Sequence, residues 1–133
     1  MTINSNDYVL IDSQNANGVG GSTATRIYGT TANTTNVTQG TSRTTGVTIN
    51  SPVGTITLFS AAGSATWATF TVTNSFVAAG DVIDITQQTG SNLYQAVVTA
   101  TGAGTFNVSI SAFSGTATEA PVFNFAVTKA TIV

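Results

Sequence analysis

No histidine and no cysteine occur in the 133 residues, and only eight side chains carry a charge. Without histidine, a Ser-His-Asp triad and an imidazole metal site are both impossible. Without cysteine there is no disulfide framework and no thiolate ligation, and the redox compartment is left open. The three cations, Arg26, Arg43 and Lys129, are scattered along a chain of net charge −2. They make no basic stripe, so nucleic acid is not an expected partner. No window of about 18 apolar residues exists, so no membrane span is expected. The opening residues Met1-Thr2-Ile3-Asn4-Ser5-Asn6-Asp7 show neither a basic n-region nor an apolar h-region. The expectation is synthesis in a cytoplasm without a Sec leader.

What is present is threonine, 27 residues of it, with a hydrophobic share of 41%. That share is normal for a globular domain and supplies a core, whereas disorder couples low hydrophobicity to high charge. Threonine brings a branched β-carbon that suits a pleated strand and a hydroxyl that is polar without charge. A surface wetted by hydroxyls and amides, with charged residues at only 6%, has weak self-repulsion and tends towards association. Homo-oligomerisation is therefore expected.

The chain divides near residue 35. Residues 1–35 are predicted to form an extended arm. It carries a short apolar run, Tyr8-Val9-Leu10-Ile11, and a second patch, Arg26-Ile27-Tyr28, separated by the Gly/Asn-rich stretch from Ser13 to Ser22. The apolar spots are the arm's candidate docking residues; an ordinary loose terminus is the bland alternative. Residues 36–133 are predicted to fold as one β-sandwich domain. Val47 and Ile49, Ile56 and Leu58, Phe70 and Val72, Ile83 and Ile85, Phe106 and Val108 and Ile110, and Phe123 and Phe125 and Val127 all recur with period two. Residues 93–100 are apolar on both faces and are expected to form a central strand. Turn signals fall between these runs at Ser51-Pro52, Ala62-Gly63-Ser64, Ala79-Gly80-Asp81, Gly90-Ser91-Asn92, Gly102-Ala103-Gly104 and Gly115-Thr116. Seven or eight short strands at that spacing, with no helical periodicity, predict an all-β fold, an antiparallel sandwich of jelly-roll type.

Few groups are left for chemistry. Asp81 and Asp84 are the one close acidic pair, and their positions in a turn and on a polar strand face suit ordinary surface residues rather than a glycosidase pair. A calcium site there lacks EF-hand spacing. Gly18-Val19-Gly20-Gly21 is followed by no Lys-Ser/Thr and is not a phosphate loop. The Asn-x-Ser/Thr triplets at Asn33, Asn36 and Asn107 are expected by chance in so Thr-rich a chain. Thr-x-Thr ladders suggest an ice-binding solenoid, but no fixed repeat is present. No catalytic residue, metal ligand or cofactor is assigned, and an enzyme is not expected. Trp67 lies on the threonine face of its strand, where a large aromatic suggests an oligomer contact or a ligand platform, or else a cap over the sandwich edge.

Four segments taken in order carry a resemblance: Val37-Thr38-Gln39-Gly40-Thr41-Ser42-Arg43-Thr44-Thr45-Gly46-Val47-Thr48-Ile49-Asn50, then Gly54 to Ala65, then Phe70 to Ser75, and finally Thr118-Glu119-Ala120-Pro121-Val122-Phe123-Asn124-Phe125-Ala126-Val127-Thr128-Lys129. Together they resemble small β-domains of tailed bacteriophages and prophages, the family of capsid decoration (cement) and head-fibre virion proteins. The resemblance covers about residues 36–130; the arm has no counterpart. It implies a homotrimer on the outer capsid surface of a virion, made in a bacterial host, that binds the major capsid protein and clamps neighbouring capsomers. The arm would be the docking element, bearing Tyr8, Val9, Leu10, Ile11, Arg26, Ile27 and Tyr28. The alternative is a receptor- or glycan-binding module of a fibre, with Trp67, Tyr94 beside Gln95, and Phe113 as candidate sugar contacts.

Overall fold

The alternation of threonine with apolar residues becomes ten strands across residues 36–130, the part of the chain that the computed structural model describes. They are β1 (Asn36–Thr38), β2 (Val47–Thr48), β3 (Val53–Thr57), β4 (Ala61–Ala62), β5 (Ala68–Thr73), β6 (Val82–Thr89), β7 (Leu93–Gly102), β8 (Thr105–Ser114), β9 (Thr118–Glu119) and β10 (Val122–Thr128). The first sheet has the order β1-β3-β10-β6, and the second β2-β5-β8-β7. β4 and β9 form a separate two-stranded ribbon. The predicted docking residues Tyr8, Val9, Leu10, Ile11, Arg26, Ile27 and Tyr28 lie outside the described residues.

The two sheets close on each other as a sandwich. Ile56, Ile83, Phe123, Phe125 and Val127 from the first sheet meet Phe70, Val72, Tyr94, Phe106, Val108 and Ile110 from the second in one buried cluster. Aromatic rings bridge the layers: Tyr94 meets Phe123 edge-on at 6.0 Å between centroids, and Phe106 tilts against Phe125 at 5.5 Å. Such pairs add roughly 0.5–1.5 kcal/mol beyond the area they bury. Register carries this pattern through the sheets. Phe70 opposes Val108 and Val72 opposes Phe106, while Phe123 opposes Ile56, so each apolar set turns inward together.

One expectation is corrected. The stretch 93–100 is not a central strand. It belongs to β7, which pairs with β8 alone as a strand and forms an edge of the second sheet. The central strands of that sheet are β5 and β8, and β8 is buried on both faces over much of its length. The apolar content of β7 therefore misled: Tyr94, Ala96 and Val98 turn inward, whereas Leu93 and Val97 are left exposed. The expected all-β, mainly antiparallel sandwich is what forms, and only the short edge strands run parallel, β1 with β3 and β2 with β5.

The turn Gly90-Ser91-Asn92 carries the chain from β6 in the first sheet to β7 in the second, with Gly90 at φ +137. A side chain is strained at that dihedral, which is why glycine stands there.

Candidate functional site

The loop between β1 and β2 is held rigid by its own polar groups. Gln39, 3% exposed, donates from Nε2 to the Thr45 carbonyl at 2.9 Å, and its Oε1 accepts the Phe59 N–H at 3.1 Å. A Ser42–Thr45 turn closes the tip, the Thr45 N–H donating to the Ser42 carbonyl and the Ser42 N–H to Thr45 Oγ1. The frame directs Arg43 across the β4–β9 ribbon. Its Nε donates to the Phe59 carbonyl at 3.2 Å, and its Nη2 to the carbonyls of Ala61 at 2.6 Å and Glu119 at 3.0 Å. The guanidinium also sits 5.3 Å from the centroid of the Tyr94 ring. A planar fork with five donors is the side chain that satisfies several carbonyls and an aromatic face at once.

Beside this arginine a groove of about 430 Å³ opens over Ala68, Ile110 and Ala112, with Trp67 and Tyr94 both in its lining. The structure thus brings together the two aromatic residues singled out from the sequence. Their situations differ. Trp67 is 50% exposed, whereas Tyr94 is buried, its hydroxyl accepting a bond from Asn92 Nδ2 at 3.1 Å. Gln95 and Phe113 do not line the groove.

Asn92 is the junction behind it. It is 2% exposed and grips the loop after β8, donating to the Ala117 carbonyl at 2.7 Å and accepting the Ala117 N–H at 3.0 Å. Glu119 answers from the other side, its Oε1 accepting the Asn92 N–H at 2.8 Å and its Oε2 accepting the Ser91 N–H. Those two N–H donors hold the Glu119 carboxyl below its ordinary pKa, with smaller help from the Tyr94 hydroxyl and the Arg43 charge, against some opposition from burial.

The acidic pair does not converge. Asp81 is buried in its turn, where Oδ2 accepts the Ala78 N–H at 2.8 Å and pairs with Lys129 Nζ, while Oδ1 accepts the Ala130 N–H at 3.0 Å. Burial alone would raise its pKa, but the Lys129 bond and the two N–H donors outweigh burial and lower it. Asp84 stands on the exposed face of β6, opposite Ala126. Among the described residues no three acidic side chains gather as a metal site would require.

The outer face of the second sheet carries no charged residue. Its rows run Thr69–Ser109–Val97 and Thr71–Asn107–Ala100, and hydroxyl and amide bonds tie neighbours together, Thr69 to Ser109 at 2.6 Å and Thr71 to Asn107 at 2.9 Å. Strand alternation places Leu93 and Val97 on this same side, 54% and 47% exposed, while Trp67 just before β5 and Phe113 at the register shift between β7 and β8 are 50% and 60% exposed. Sequence reasoning missed Arg43, Asn92, Leu93 and Val97. A lone cation inside a long uncharged run was the available signal for Arg43. No signal marked Leu93 and Val97, because strand order decides whether a two-faced apolar strand is covered. Comparison with protein-family models, curated proteins and solved structures finds no match.

Proposed function

We propose that this chain is a structural protein of a bacteriophage virion, a homotrimeric decoration protein that binds the outer capsid surface. In this reading the sandwiches associate, and residues 1–35 dock on the major capsid protein. One observation carries the reading: Leu93 and Val97 are large exposed apolar side chains on an uncharged sheet face, with exposed Trp67 and Phe113 at the strand ends beside it. Clustered exposed aromatic and aliphatic side chains mark association surfaces, and charge is depleted at the centres of such surfaces. The polar side chains of this region support the same reading, because they are spent on architecture: buried Asn92 and Asp81 and half-buried Arg43 bind backbone groups of the protein itself. Three copies held together also multiply weak single contacts into firm attachment.

Two experiments test it. Light scattering of the purified chain is expected to give a species near three times 13.4 kDa. Deleting residues 1–35 is expected to leave a folded oligomer that no longer co-sediments with capsids; retained binding defeats the role given to the arm.

A second reading is favoured by the groove that Trp67 and Tyr94 share. In a fibre-type module, the half-exposed indole would stack on a sugar ring. A glycan array probed with the native chain and with Trp67→Ala separates the two. A specific signal lost in the variant supports the fibre module, and the absence of any signal leaves the decoration role ahead.

A further inference from the structure

We infer that β7 is a contact between copies of this chain: two protomers pair β7 with β7, antiparallel about a two-fold axis at Val97, and join their second sheets edge to edge.

The direction of the backbone groups carries this. The N–H of Tyr94 donates to Gln87 Oε1 at 3.0 Å and therefore points away from β8. On β8 the N–H of its partner Ala112 donates to the Ser64 carbonyl at 2.7 Å, away from β7, which fixes the same phase from the other strand. Backbone groups alternate sides along a strand. The register runs unbroken from Tyr94 to Val98, so Ala96 and Val98 share the phase of Tyr94. Their N–H and C=O groups point out of the sheet edge, while Gln95 and Val97 bond to β8. Gln87 covers the edge at Tyr94, and a bulge after Val98 ends the window on the other side.

Within that window the usual protections are absent. β7 contains no charge and no proline, the two devices that most often blunt an edge. Val97, on the outer face, is 47% exposed.

A second copy fits this edge because the pattern is its own complement. Setting Ala96 opposite Val98 of the partner makes a hydrogen-bonded pair, and the two-fold axis repeats it with the roles exchanged. Val97 then faces the partner's Val97 as the closer, non-hydrogen-bonded pair, with about 4.5 Å between Cα atoms. Two identical neutral strands meet without desolvating any charge, and isologous contacts of this kind are the commonest in protein assemblies. The contact rests on the proposed function only in needing several copies of the chain; among trimers it links one trimer to the next.

The chain is naturally free of cysteine, so one introduced thiol reports the contact directly. Val97→Cys in the full chain, mildly oxidised with diamide, is expected to give a disulfide-linked dimer, since the paired Cα separation of about 4.5 Å lies in the range that disulfides bridge. Thr71→Cys, on the same face but on β5, is the collision control. Its cross-linking is expected to be slower by on the order of ten-fold or more, because only Val97 is held at high effective concentration. Adding Val97→Lys to a separate preparation sets like charges opposite each other and is expected to lower self-association by light scattering. Cross-linking of Val97→Cys no faster than that of Thr71→Cys overturns the contact. A trimer mass with that outcome leaves the proposed function standing, whereas efficient cross-linking in a species that is no multiple of three defeats the trimer and keeps the contact.

Discussion

Asn92 shows how much one buried amide organises here. It joins the β6–β7 turn to the loop after β8 and bonds both Ala117 backbone groups, of which the carbonyl also accepts the Gly63 N–H. Asn92→Ala removes both bonds and the donor to the Tyr94 hydroxyl, at roughly 0.5–1.5 kcal/mol for each hydrogen bond lost. A loss of about 2–4 kcal/mol is expected, read as a fall in the urea midpoint. The site has no spare room: a Cβ on Gly115 would lie 2.3 Å from Asn92 Oδ1, and the φ of +95 there already disfavours a side chain. Asp81 acts through charge. Its folded pKa lies below the ordinary carboxylate value, so the unfolded chain takes up its proton first as the pH falls. Its contribution is complete above the unfolded value near 3.9 and is lost as the pH drops through the folded value. Asp81→Asn is expected to destabilise at pH 7 and to reduce the drop in urea midpoint between pH 7 and pH 3. An unchanged drop would mean that the Lys129 and N–H bonds contribute nothing in solution.

At the level of elements, β7 and β8 are neighbours of equal length with opposite energetic weight. Val108 on β8 is fully buried between Phe70 and the facing sheet, while Val97 on β7 faces outward. Removing two buried methyl groups costs the transfer energy plus a cavity, so Val108→Ala is expected to lose about 2–3 kcal/mol. Val97→Ala is expected to change monomer stability by less than about 0.5 kcal/mol. Comparable losses at both positions would show that β7 is already covered in solution. The β1–β2 loop is ordered by one residue of each kind, Gln39 within and Arg43 above. Arg43→Lys is a severe change despite the retained charge, because an ammonium cannot reach the Phe59, Ala61 and Glu119 carbonyls together.

For the whole molecule, the small set of titrating groups makes a sharp expectation. The chain has five acids and no histidine or cysteine, so nothing in its side chains changes charge near neutrality. Urea midpoints are expected to be flat from about pH 6 to pH 8 and to fall only in the acid range where Asp81 and Glu119 titrate. A midpoint that moves across neutrality would point to assembly, through the α-amino group or an interface, rather than to the fold of one copy. The same poverty of charge leaves solubility to hydroxyls and amides and leaves the exposed apolar face without electrostatic protection.

Strand content and the inward sets Phe70–Val72, Phe106–Val108–Ile110 and Phe123–Phe125–Val127 followed from local sequence. Alternation and β-branching act within a few residues, and the side-chain period of two leaves one choice of face. Glycine and asparagine placed the turns for the same reason. Strand order, by contrast, depends on contacts far apart in the chain. It was pairing of β8 with both β5 and β7 that made β8 central and β7 an edge, although the residues of β7 are as apolar as those of a covered strand. Only that tertiary order set Tyr94 inward under Arg43 and beside Trp67, and it alone left Ala96 and Val98 with their backbone groups directed out of the sheet.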